Sequence, residues 1–107
     1  MAPGVASGPA RLITTLAEAT NLIPGEVLVC HEALFEMIPL FEMASAIVAE
    51  TGGPLDHASV LAREYGIPAV FGVEGATRRL RNGDTLYVDA NRGLVARQLP
   101  EVYWEGI

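Results

Sequence analysis

Cysteine is almost absent from this chain: Cys30 stands alone, so no internal disulfide can form and no cysteine-based metal site can be assembled. It ends the apolar run Glu26-Val27-Leu28-Val29-Cys30 and reads as a small buried hydrophobe. Positive charge is also scarce. Seven Lys and Arg stand against 13 Asp and Glu, a formal charge of −6, which leaves little general attraction for nucleic acid. The one basic cluster, Arg78, Arg79 and Arg81, reads as a solvated surface. No apolar stretch approaches the roughly 20 residues of a membrane-spanning helix. The opening residues Met1-Ala2-Pro3-Gly4-Val5 lack the basic-then-apolar pattern of a leader peptide. The expectation is a cytoplasmic protein with neither a nucleic-acid nor a membrane partner. Internal repeats, low-complexity tracts and linkers are missing as well.

What is present is globular. Half of the 107 residues are hydrophobic and 19% are charged, enough to build one core and too apolar for disorder. Short apolar runs rich in β-branched residues predict strands at Pro9–Thr15, Glu26–Cys30, Ala46–Ala49, Ala69–Phe71, Thr85–Val88 and Leu94–Arg97. Pro24-Gly25, Gly52-Gly53-Pro54, Gly66-Ile67-Pro68, Asn82-Gly83-Asp84 and Asn91-Arg92-Gly93 lie between them and predict turns, the last closing a hairpin. Two segments read as helical. Glu32–Met43 carries an interior Pro39 that shortens or kinks it. Asp56–Tyr65 places Ala58, Leu61, Ala62 and Tyr65 on one stripe and stops at Gly66. Many strands, few helices and no regular strand–helix alternation predict an α+β domain, a sheet sandwich or barrel with helices packed on it.

The segment Thr51-Gly52-Gly53-Pro54-Leu55-Asp56-His57 puts a glycine turn before a helix and a histidine in its first turn. Unpaired backbone N–H groups and the positive end of a helix dipole favour an anion there, and glycines let it come close. A neutral imidazole is a nucleophile that can carry phosphate on nitrogen. By itself this pattern also suits a histidine that merely caps or packs.

The longer run from Thr51 through His57-Ala58-Ser59-Val60-Leu61-Ala62-Arg63-Glu64-Tyr65-Gly66-Ile67-Pro68-Ala69-Val70-Phe71-Gly72 resembles the signature of the mobile, or swivelling, domain of phosphoenolpyruvate-utilising enzymes. That family includes phosphoenolpyruvate synthase, pyruvate phosphate dikinase, the first enzyme of the bacterial sugar phosphotransferase system and the rifampicin phosphotransferases. The likeness continues at Gly4–Gly8, Pro24–Val29, Asn82–Asp84, Val88-Asp89 and Gly93. It implies one β/β/α swivelling domain over residues 1–107, with His57 as the phosphorylated residue of a phosphotransferase or kinase. It also implies partner domains that bind ATP and phosphoenolpyruvate/pyruvate or another acceptor, with Mg²⁺ at those partner sites and no cofactor held by this domain. A chain of this length has no room for those domains, so it corresponds to an excised portion of a larger enzyme or to a free-standing carrier.

Thr51, Gly52, Gly53, Asp56 and Arg63 are the residues expected to support the phosphate. Asp56 departs from the relatives, which commonly carry small hydroxyl residues just before the histidine. Its carboxylate would cap the helix, orient the His57 ring or repel the incoming anion. Leu55 cannot take up phosphate, which excludes regulation by phosphorylation there. The competing reading is an interaction module that keeps the fold and no longer transfers phosphate. Against these, His31 reads as a plain surface or cap residue, Asp84 and Asp89 as turn residues, and Phe35, Met37, Phe41 and Met43 as core. Two widely spaced histidines and one cysteine give no metal-ligand spacing.

Overall fold

A computed structural model describes residues 4–52, 57–97 and 102–105. Seven strands form one mixed sheet in the order β4-β3-β2-β1-β5-β6-β7: β1 (Val5–Leu12), β2 (Val27–Cys30), β3 (Ala46–Ala49), β4 (Ala69–Val70), β5 (Thr85–Asp89), β6 (Leu94–Arg97) and β7 (Val102–Glu105). The first four are parallel, with Ala10 opposite Val27, Val27 opposite Ala46 and Ile47 opposite Ala69. β1 also pairs antiparallel with β5, placing Gly8 opposite Leu86, and β5–β6–β7 continue as an antiparallel meander.

The runs Val27–Cys30 and Ala46–Ala49 are apolar at every position because both faces are covered. On one face Leu28, Cys30, Ile47 and Ala49 pack with Met37, Phe41, Ala58, Ala62 and Phe71. On the other Val27, Val29, Ala46 and Val48 meet Ala76, Leu80, Leu86, Val88 and Val95. The antiparallel strands therefore curl over the second face. The result is a half-barrel with helices packed outside it, an α+β domain of three layers.

Two crossovers between parallel strands are 3₁₀ helices, Leu16–Asn21, which was not expected, and Phe35–Glu42, which falls within the helical segment expected at Glu32–Met43 and is shorter than it. Pro39 has no N–H for an α-helical ladder, and the main chain makes i→i+3 bonds at its ends, Met37 N–H to the Leu34 carbonyl and Met43 N–H to the Leu40 carbonyl. The third crossover is the helix α1 (His57–Tyr65). It ends at Gly66, whose φ of 73° is the left-handed conformation that lets Gly66 N–H reach the Arg63 carbonyl and Ile67 N–H the Ala62 carbonyl. Strand–helix–strand alternation, not expected from the sequence, thus organises residues 5–70. One further turn of helix, α2 (Ala76–Arg79), lies between β4 and β5. No helix among the described residues is long and apolar enough to cross a membrane.

Candidate functional site at the carboxyl edge of the parallel strands

In an open parallel sheet, ligand sites gather where the strands end. Here β2 runs out into His31, β3 into Glu50-Thr51-Gly52, and β4 into the loop leading to α2. His57 is exposed at the first position of α1, the helix that leaves this edge and returns to the start of β4. Thr51 and Gly52 are exposed on the same edge. Thr51 is held from below: its N–H and its hydroxyl both donate to the His31 carbonyl, at 2.9 and 3.3 Å. Gly52 has φ 113°, which a side chain would strain, so a glycine is required where the chain turns off β3. Gly53, Leu55 and Asp56 lie outside the described residues.

Arg63 is placed elsewhere. Six residues along an α-helix correspond to about 9 Å of rise and roughly 240° of rotation, so it occupies another face of α1 near the opposite end. There it lines a cleft of about 220 Å³ with Ser59, Ile67, Pro68 and Asn91. The fold does not bring Arg63 beside His57.

A polar cluster that sequence reasoning missed sits below Thr51. His31 Nδ1 lies 2.7 Å from Glu50 Oε1, and Glu50 Oε2 accepts from the Thr77 N–H at 2.7 Å and the Thr77 hydroxyl at 2.6 Å. Burial opposes ionisation of Glu50, but the hydrogen bonds from His31 and Thr77 outweigh it and hold the carboxyl at about 2. The signal that could have found the pair is register. Cys30 is opposite Ala49, so the residues that follow each strand stand side by side. Cys30 itself is fully buried, and burial, with the charges of Glu50 and Glu32, pushes its thiol up to about 12, which leaves it inert. Asp89 accepts the Asn91 and Arg92 N–H groups and Asp84 the Arg81 N–H, so both serve turns. Among the described residues no three His, Cys, Asp or Glu side chains gather as a metal site.

The described residues thus form a mixed half-barrel with a histidine-headed helix at the carboxyl edge of its parallel strands. Residues 22–93 match the family model for the PEP-utilising enzyme mobile domain, and the chain belongs to that family. It is 47% identical over 92 residues to an uncharacterised phosphotransferase of Bacillus subtilis, covering 86% of this chain and 11% of that protein. It is 45% identical over 94 residues to a phosphoenolpyruvate synthase of Aeropyrum pernix (87% and 12%). To a rifampicin phosphotransferase of Streptomyces sviceus it is 44% identical over 92 residues (86% and 10%). Among solved structures it is similar to Enzyme I, with a TM-score of 0.64 and 26% identity, over 74% of this chain and 33% of that one. The chain spans about a tenth of the length of these curated relatives. In them a domain of this kind sits within a much longer protein.

Proposed function

We propose that this chain is a phosphoryl carrier in which His57 takes a phosphoryl group from ATP or phosphoenolpyruvate at one partner domain and passes it on at another. The observation that carries the reading is the placement of His57, exposed on the first turn of a nine-residue helix at the sheet's carboxyl edge, in a chain whose family is the mobile domain of PEP-utilising enzymes. The imidazole lone pair attacks phosphorus as the bond to the donor's leaving oxygen breaks, and the reverse displacement delivers the group. Thr51, Gly52 and Gly53 shape the approach of the phosphate, and Asp56 caps the helix or orients the ring. The donor, the acceptor and the Mg²⁺ that neutralises the phosphates belong to the partner domains, which bind ATP and phosphoenolpyruvate, pyruvate or another acceptor. Residues 1–107 act as one domain, and the setting is the cytoplasm.

The test is intact-mass analysis at neutral to alkaline pH after incubation with extract of the source cells and either donor. Wild type should gain an acid-labile phosphate that peptide mapping places on His57, and His57→Ala should lose label at that position while melting within about 2 °C of wild type, because the side chain is exposed. A folded wild type that takes no phosphate from either donor points instead to an interaction module.

A further inference from the structure

The cluster beneath Thr51 has a chemistry of its own. Glu50 is buried to 13% side-chain exposure while His31 keeps 66%, so the carboxylate is the fixed partner and the ring the accessible one. Glu50 is already anchored at Oε2 by both donors of Thr77. Its other oxygen is committed to His31 Nδ1 at 2.7 Å. An ionised carboxylate only accepts, so Nδ1 carries the proton, an assignment made from the partner atom. In the neutral ring the remaining lone pair is then on Nε2, which has no partner among the described residues, on a side chain that is 66% exposed. A carboxylate that fixes the tautomer of an imidazole and stabilises the cation formed when its other nitrogen reacts is the recurring way to make a histidine nucleophilic. The dyad lies on the same edge of the sheet as Thr51, whose N–H and hydroxyl both donate to the His31 carbonyl.

We propose that His31 is a second phosphoryl-accepting residue, reacting through Nε2 with Glu50 as its orienting carboxylate. In the step a new bond forms from Nε2 to phosphorus as the donor's bond to phosphorus breaks. The leaving group departs with its electron pair, and the positive charge on the ring is balanced by Glu50 across the Nδ1–H bond. The inference does not depend on His57 being phosphorylated, although both imidazoles serve the same edge.

The experiment uses phosphoramidate, a small donor that needs no partner domain and releases ammonia. The chain is treated at neutral pH, labelled sites are mapped by mass spectrometry, and the nitrogen is identified by ³¹P NMR. Wild type and His57→Ala should both carry phosphate on His31 at Nε2, and His31→Ala should lose that label alone. Glu50→Gln should slow His31 labelling about tenfold relative to His57 in the same molecules, a ratio that cancels differences in the amount of folded protein. Absence of label on His31 in the folded chain, label on Nδ1 instead, or a rate untouched by Glu50→Gln would overturn the proposal. Label on His31 with none on His57 would leave it standing, and the carrier reading is decided separately by the incubation with ATP or phosphoenolpyruvate.

Discussion

Single residues carry unequal burdens in this molecule, and charged groups show it most plainly. Glu26 is 7% exposed and ionised because Arg11 grips it with both arms, Nε and a terminal nitrogen at 3.0 and 2.9 Å, while the Ile23 N–H adds a third bond at 2.8 Å. Glu50 is held as firmly, and its carboxyl sits at about 2 instead of 4.5. A depressed folded-state value means that the contribution to stability is complete above the unfolded value and is lost as pH falls towards the folded one. Glu50→Gln should therefore cost about 2 kcal/mol at pH 7, roughly 8 °C in melting temperature. The gap between variant and wild type should close between about pH 4.5 and 2. Melting curves across that range check it, and a gap that stays constant to pH 2 contradicts the assignment.

At the scale of elements, the approach of one segment to another explains which residues are interchangeable. Gly8 in β1 passes the turn before β2 so closely that a Cβ there would lie 2.5 Å from the Gly25 carbonyl oxygen and 3.1 Å from Ser45 Oγ. That turn cannot retreat, because Gly25 N–H is bonded to the Met43 carbonyl and Ser45 N–H to the Glu26 carbonyl at 2.9 Å each. Gly8→Ala should destabilise by about 2 kcal/mol through overpacking, measured by chemical denaturation; a change below about 0.5 kcal/mol would show that the turn yields. The same scale separates what was legible in the sequence from what was not. The strands at Val27–Cys30, Ala46–Ala49, Thr85–Asp89 and Leu94–Arg97 were legible because buried β-branched runs end in turn residues. Helix α1 was legible from the spacing of Ala58 and Ala62, which it buries, although Tyr65 on the same stripe stays 46% exposed and meets Phe41 edge-on at 6.5 Å. The parallel order was not legible, because two crossovers are 3₁₀ segments without the 3.6-residue period that marks a strand–helix–strand unit. α2 is a single turn, too short for a helical period to register, and neither it nor β7 was expected from the sequence. The Glu50–His31 pair went unseen for a related reason: it exists through strand register, which local patterns do not encode.

Across the whole molecule, the two halves of the sheet are joined at β1, which pairs parallel with β2 on one side and antiparallel with β5 on the other. Neither half can unfold and leave the other intact. Removing β5 and β6 would strip Leu86, Val88 and Val95 from Val27, Val29 and Val48. Removing the 3₁₀ segments and α1 would expose Leu28 and Ile47 on the reverse face of the same strands. The two cores are therefore the opposite sides of β2 and β3 and should melt together. The proposed carrier role requires that rigidity, since in that role a domain 32 Å across in its longest dimension would move His57 between sites by swinging as one body. Scanning calorimetry should give one transition whose calorimetric enthalpy equals its van't Hoff enthalpy, on the order of 70 kcal/mol for a chain of this size. A calorimetric value well above the van't Hoff value would mean that the antiparallel meander melts independently of the parallel half that carries His57.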